Sequence, residues 1–158
     1  MNNLKTISLL AAIFVIALSA SPAVASEQIP FNGSWVSHET YDVQFPVMFV
    51  HGTATGYATQ LGLYSATYEE QVDLLTGSSV GAITVVAANG DVIFATQTGQ
   101  GDPTPDPNIA SIIEVSTITG GTGRFAGATG TFTIARLVNL TTGDSSGSFS
   151  GTISNPAP

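Results

Sequence analysis

Five side chains that could bind a ligand or do acid–base chemistry fall on the apolar faces of predicted strands: Tyr64, Tyr68, Glu70, Glu114 and Arg136. Successive side chains of a strand point to opposite faces, so residues two apart share a face. A carboxyl group on an apolar face is desolvated, and it could orient a ligand or act as a general base. The arginine could hold an anionic group, and the tyrosines would supply amphipathic walls.

The same residues have a purely structural interpretation. A carboxylate and an arginine are costly to bury unless they pair, and breaking such a pair is destabilising whatever the function. Glu70 or Glu114 with Arg136 would form that pair. A β-bulge would invert the predicted faces, because one extra residue shifts the alternation. The residue pattern leaves the ligand-site and ion-pair interpretations open.

Strands are needed to place these side chains, and the mature chain has strand composition throughout. No window shows sustained apolar residues at helical spacing, whereas glycine, threonine, valine and short alternating runs dominate. Asn89-Gly90 is the strongest hairpin signal, because a tight turn needs two residues that tolerate positive φ. The pattern predicts eight antiparallel strands in a barrel or sandwich, at 31–38, 47–57, 62–75, 78–88, 91–100, 110–119, 130–139 and 145–154.

A proline-rich segment interrupts the strands. The sequence DPTPDPN at Asp102–Asn108 contains three prolines, which lack the N–H group that a strand ladder needs. We therefore predict a stiff surface loop there, placed as a lid or at a barrel rim.

The N-terminus has the pattern of a secretory signal peptide. Lys5 precedes the twelve-residue apolar run Ile7–Leu18, which is short for a membrane span. Pro22 and Ala23-Val24-Ala25 then give a small-residue cleavage pattern before Ser26. We predict a signal peptide at 1–25, a single barrel domain at 26–158 and a secreted or periplasmic location. An uncleaved N-terminal anchor is the alternative.

The composition excludes several classes of partner. Without the leader, two arginines stand against eleven acidic residues, a net charge of −9. Nucleic acid and anionic lipid both need a basic surface, so we expect no nucleic acid partner and no membrane contact after signal cleavage. His38 and His51 have no partner at metal-ligand spacing, and the chain has no cysteine. We expect neither a metal nor a cofactor.

Two glycine-containing stretches match catalytic fingerprints by chance. Residues 121–126, GTGRFA, fit the dinucleotide-binding pattern, but that pattern needs a helix to follow, and glycine and β-branched residues follow here. Residues 143–147, GDSSG, fit the nucleophile elbow of hydrolases. That motif needs a histidine downstream, whereas both histidines lie upstream. We expect neither dinucleotide binding nor hydrolase chemistry.

The densest glycine stretch is Ile118–Phe132, ITGGTGRFAGATGTF, which predicts a sharp connection between two strands. Its core GGTGRFAGATG resembles the signature of dirigent proteins, and allene oxide cyclases carry a looser version. The upstream segments YSATYEEQVDLLTG and ANGDVIFATQTGQG resemble secreted bacterial proteins of unassigned function in the same barrel family, and the whole resemblance covers Tyr64–Ile153. It implies an eight-stranded antiparallel closed barrel, often trimeric, with an apolar cavity in which small reactive molecules are cyclised or coupled. The cysteine of the cyclase site has no counterpart.

Two functional hypotheses of different classes follow. The first is a secreted barrel that binds a small apolar or aromatic molecule and could steer its cyclisation or coupling, which leaves open whether it is an isomerase-like enzyme. The second is a non-catalytic envelope or extracellular protein that self-associates as a homo-oligomer. A glycan-binding module ranks last, because only Trp35 offers an indole platform. A cavity of about 300 Å³ or more beside Tyr68, Glu70 and Arg136 would support the first, and a filled barrel the second.

Overall fold

Eight antiparallel strands close into one barrel in the computed structural model, which describes residues 27–154 and 156. The predicted signal peptide lies outside the described residues. Each strand pairs with its neighbours in chain order, and the first also pairs with the last. The strands are β1 (Gln28–Gln44), β2 (Val47–Ala58), β3 (Gly62–Asp73), β4 (Ser78–Ala87), β5 (Val92–Pro103), β6 (Ile109–Gly121), β7 (Gly130–Asn139) and β8 (Asp144–Ser154).

Closure confirms the predicted all-β antiparallel barrel. The β1–β8 seam runs from the Gln28–Ser154 pair to the His38–Asp144 pair. A closed barrel has no edge strand, so its outward positions need no charges to block edge-to-edge pairing. The small, uncharged residues that dominate the strands suit this arrangement.

The predicted strand boundaries hold closely, with one large exception. The predicted span of β7 matches, and most other ends differ by one to three residues. Strand β1 continues six residues beyond the predicted end at His38, because Glu39 and Tyr41 continue the inward row of Trp35 and Ser37 between exposed neighbours. Strand β5 takes Asp102 and Pro103 from the predicted loop, and these residues pair with the start of β6.

The interior of one half of the barrel is filled by aromatic and aliphatic side chains. Phe31, Phe132 and Phe149 form a triangle with ring centroids 5.0 to 5.3 Å apart. Ile93 and Ile153 are fully buried on the same side. Such close packing leaves this half no room for a ligand.

The glycine-rich stretch seals this end. It contains the short 3₁₀ helix η1 (Gly123–Phe125), and the Phe125 ring is fully buried. The guanidinium of Arg124 donates to the carbonyl oxygen of Gln60 at 2.6 Å and lies 3.5 Å from the Asp91 carboxylate. It thereby ties the β2–β3 and β4–β5 turns to η1. Strand β7 follows the stretch, which confirms that no dinucleotide-binding helix starts here.

The opposite end is the mouth of the barrel. It is framed by the connections at 45–46, 74–77, 104–108 and 140–143, and the proline-rich segment forms part of this rim as predicted. The GDSSG sequence begins at Gly143 in this rim and continues into strand β8. Because a strand and not a helix follows the turn, it is not a nucleophile elbow. Within residues 27–154 no helix has the length and apolarity to cross a membrane.

Two glycines of the sealing stretch give a matched test of its packing. Gly120 and Gly130 share a φ of +144°, a value that favours glycine, so replacing either with alanine strains the backbone. A Cβ at Gly120 would meet nothing within 4 Å, whereas a Cβ at Gly130 would lie 2.2 Å from the carbonyl oxygen of Thr152. We expect Gly130→Ala to lower the free energy of unfolding by about 1–3 kcal/mol more than Gly120→Ala. Urea denaturation of both variants measures the difference, and equal losses would contradict the packing role.

Candidate functional site at the mouth of the barrel

Four ionisable side chains meet inside the barrel below the mouth. Glu39 comes from β1, Glu70 from β3, Glu114 from β6 and Arg136 from β7, and none is more than 5% exposed. Strand alternation places them there, because each continues an apolar inward row of its strand. The predicted inward faces of Glu70, Glu114 and Arg136 are therefore correct. The one register shift, between β5 and β6 at Phe94 and Ala95, does not invert them.

Arg136 is the hub of the cluster. Its Nε and Nη2 donate to the two Glu114 carboxylate oxygens at 3.1 and 2.7 Å. Its Nη1 donates to Glu39 Oε1 and, at 3.2 Å, to Ser145 Oγ. This network joins β7 to β6, β1 and β8. Since four of the five guanidinium N–H groups already donate within the protein, Arg136 has little capacity left to bind the anionic group considered from the sequence.

Two tyrosine hydroxyls also donate hydrogen bonds to the Glu39 carboxylate. The Tyr68 hydroxyl donates to Glu39 Oε1 at 2.6 Å, and the Tyr41 hydroxyl donates to Oε2 at 3.1 Å. Burial, together with the charge of Glu39, raises the pKa of both tyrosines, so they remain protonated donors. Glu39 thus accepts hydrogen bonds from an arginine and two hydroxyls within the protein.

Glu70 differs from the other two carboxyl groups. No described residue donates a hydrogen bond to its buried Oε1 atom. Burial raises the pKa of Glu70 to about 8, and the charge of Glu114 and a hydrogen bond with the Glu114 carboxyl group add to the shift. Two carboxyl groups share a hydrogen bond only when one is protonated. Because Glu114 accepts from Arg136, the proton at neutral pH resides on Glu70.

Glycines on neighbouring strands make room for the large polar side chains. The pairs are Tyr68 with Gly52, Glu70 with Gly81, Glu114 with Gly99 and Arg136 with Gly147. A Cβ at any of these glycines would come within 3.0 Å of the side chain opposite it. The sequence therefore specifies the cluster through two sets of residues: the large polar residues themselves and the glycines that leave room for them.

A small cavity opens beside the cluster at the mouth. Its volume is about 60 Å³, which corresponds to about two water molecules at roughly 30 Å³ each. This is well below the roughly 300 Å³ expected of a pocket that encloses a whole organic ligand. Charged, hydroxylic and apolar groups line it, among them Glu39, Glu70, Arg136, Ser79, Tyr41, Met48, Val72, Ile112, Val138 and Leu140.

The structure brings four of the five predicted site residues together and separates the fifth. Tyr68, Glu70, Glu114 and Arg136 form one network, whereas the Tyr64 hydroxyl donates to the Ser34 carbonyl oxygen at 2.7 Å and its ring contacts Phe149. Tyr64 shares the face of Tyr68 but lies deeper, in the aromatic half. It is a packing residue of the core and not a wall of the cavity.

Sequence reasoning missed Glu39 and Tyr41. Their signal was present, because Glu39 and Tyr41 follow the buried Trp35 and Ser37 at even spacing along β1. The predicted strand ended at His38 and so excluded them. Trp35 itself is buried and its indole N–H donates to Ser37 Oγ at 2.9 Å, so it offers no exposed platform for a glycan.

A larger groove of about 540 Å³ runs along the outer wall and includes the two histidines. His38 Nδ1 lies 3.1 Å from Asp144, His51 Nδ1 lies 3.6 Å from Glu69, and all four side chains are exposed. No cluster of three or more potential metal ligands occurs among residues 27–154. The groove therefore lacks the desolvated polar groups that distinguish the interior cluster.

Fold and site together define a class: a closed eight-stranded antiparallel barrel with a buried carboxylate–arginine cluster below one open end. Comparisons with protein-family models, curated proteins and solved structures found no match to this chain. The likeness to dirigent proteins and allene oxide cyclases thus rests on the glycine-rich motif described above.

The proton on Glu70 makes stability depend on pH. Between the ordinary carboxyl value of 4.5 and about 8, the folded state retains this proton and the unfolded state has lost it. The contribution of Glu70 is therefore fully present below pH 4.5 and is lost as pH rises through 8, by up to about 1.4 kcal/mol per unit. We expect Glu70→Gln, which cannot titrate, to flatten this part of the slope.

Urea denaturation of both proteins at pH 5, 6.5 and 8 provides the measurement. The exposed neighbour variant Glu69→Gln is the matched control, and it should keep the wild-type slope. Parallel slopes for wild type and Glu70→Gln would show that Glu70 does not carry the buried proton.

Proposed function

We propose that the protein binds a small apolar or aromatic molecule at the mouth of the barrel, with the polar group of that molecule meeting Glu70. The observation that carries this proposal is Glu70, which lines the cavity and whose buried Oε1 atom receives no hydrogen bond from a described residue. A buried polar atom without a partner costs free energy, and a ligand that pairs with it recovers that cost.

The cavity volume determines how such a molecule would lie. Only a polar group of two or three heavy atoms fits into about 60 Å³. The remaining body would rest on the apolar part of the mouth, formed by Met48, Val72, Ile112 and Leu140. Beyond it, Val43 and Leu74 are exposed on the same end and extend this apolar surface. Burial of this surface would supply most of the binding free energy.

Glu70 is also the group suited to chemistry. A carboxyl group with a pKa of about 8 exchanges its proton near neutral pH, which is what general acid–base catalysis needs. Arg136 and Glu114 would fix its position. An isomerase-like reaction, in which a proton is moved while a small molecule cyclises or couples, is the chemistry that this arrangement supports best.

The second candidate function, a self-associating envelope or extracellular barrel, is favoured by a different observation. The cavity is small, and apolar side chains are exposed on the outer wall, among them Val36, Ile113, Val115 and Leu137. Leu137 and Val36 are separated by a single serine across the β7–β8–β1 sheet. Burial of this uncharged face between copies would produce a homo-oligomer, a trimer by resemblance to the plant barrels.

A fluorescent aromatic alcohol, 2-naphthol, separates the two candidates. We expect wild type to bind it at the mouth, and Glu70→Ala to weaken binding about tenfold by removing one hydrogen bond worth roughly 1.4 kcal/mol. Leu137→Ser on the outer wall serves as the matched control and should bind as wild type does. Fluorescence titration measures the dissociation constants, and melting temperatures show whether each variant is folded.

Other outcomes point to the structural role. No saturable binding by wild type would contradict the ligand proposal. If native mass spectrometry of the same samples then shows an oligomer that Leu137→Ser dissociates, self-association is the better account of the barrel.

A further inference from the structure

The interior cluster carries more negative than positive groups. Glu39, Glu70 and Glu114 face one guanidinium, that of Arg136. Full ionisation would leave a net charge of −2 in a desolvated space, which is strongly unfavourable. The proton on Glu70 reduces this to −1. The site is thus short of positive charge.

The surroundings of Glu70 supply no further cation. Glu39 and Tyr41 face it from β1, Tyr68 lies on its own strand β3, Glu114 faces it from β6 and Arg136 from β7. Strand β2 contributes only Met48 and Val50, and β4, β5 and β8 contribute uncharged groups, including Ser79, Gln97 and Ser145. Arg136 already donates to two carboxylates and a hydroxyl.

We infer that the mouth of the barrel is a site for a primary amine with an apolar body, whose ammonium group pairs with Glu70 in place of the carboxyl proton. This inference rests on the proposed ligand site and specifies the class of ligand. An ammonium group fits the cavity of about 60 Å³ and offers three donors. Two of the residues that line it can accept hydrogen bonds: Ser79, and Glu70, whose buried Oε1 atom receives none from a described residue.

Ligands with an anionic or a neutral head group should bind this site less tightly than an amine. A carboxylate head would join three carboxyl groups around a guanidinium that is already occupied, and like charges repel strongly in a desolvated space. An alcohol head could accept from the protonated Glu70, but it brings no positive charge to pair with the Glu70 carboxylate. The ammonium instead supplies a second cation, so Glu70 can ionise while the cluster keeps a net charge of −1.

The number of protons is conserved when the ammonium group of the ligand replaces the carboxyl proton of Glu70. The amine arrives as an ammonium ion and stays so, because alkylammonium groups titrate near pH 10, as lysine does. Glu70 releases its proton to solvent and its carboxylate then accepts from the ammonium. One proton is therefore released for each amine bound below the pKa of Glu70, and the affinity for the amine rises with pH in that range.

Isothermal titration calorimetry with octylamine, 1-octanol and octanoate tests this inference on the full barrel. We expect octylamine to bind at least tenfold more tightly than 1-octanol at pH 8, and octanoate to bind most weakly. Octylamine affinity should rise about tenfold from pH 6 to pH 7 and level off above pH 8. Titrations in buffers of different ionisation enthalpy should show release of about one proton at pH 6.5.

Two variants localise the effect. Glu70→Gln should lose tenfold or more in octylamine affinity at pH 8 and should lose its pH dependence, while its affinity for 1-octanol should fall by a smaller factor because the amide can still donate to the alcohol. The exposed Glu69→Gln should behave as wild type. If Glu70→Gln does not fold, the head-group series and the proton release of wild type still decide the question.

The failures of the two proposals are distinguishable. If 1-octanol or octanoate binds as tightly as octylamine, or if no proton is released, the amine inference is wrong and the ligand site stands. If none of the three compounds binds, the ligand site is overturned as well.

Discussion

The pairing of Arg136 is the interaction on which the upper half of the barrel depends. A guanidinium buried in a closed sheet must be neutralised and hydrogen-bonded, and partners from three other strands do this at once. Their positions in turn require glycines on the neighbouring strands, since any Cβ there would occupy the same space. Charge satisfaction thus fixes both the polar residues and the small residues around them, and it leaves Glu70 as the one carboxyl group without a saturating partner.

The barrel divides into halves with opposite physical roles. The sealed half is held by the aromatic triangle of Phe31, Phe132 and Phe149, and by Phe125 beneath the Arg124 clamp. The half near the mouth gives up apolar packing for a polar network. A stable apolar half can tolerate the cost of buried charge elsewhere in the same sheet, a common division between scaffold and site.

Alternation along the chain was sufficient to predict eight antiparallel strands and the inward faces of Glu70, Glu114 and Arg136, and the resemblance of the glycine-rich motif favoured a closed barrel over a sandwich. Alternation could not predict how far below the mouth of the barrel each inward side chain lies. Tyr64 and Tyr68 share a face, but four residues separate them by about 13 Å along the strand, which is enough to place one in the core and the other in the network. Glu39 was missed because β1 passes through polar residues before it ends. The cavity volume depends on the packing of all eight strands, which no local pattern contains.

The seam between β1 and β8 has a geometric consequence. Gln28 pairs with Ser154, so the described chain enters and leaves the barrel side by side at the sealed end. Anything joined to either end, whether a fusion partner, an affinity handle or a solid support, would therefore stand on the side away from the mouth. The same proximity makes the barrel suited to circular permutation, in which a short linker joins the old ends and new ones open in an exposed turn.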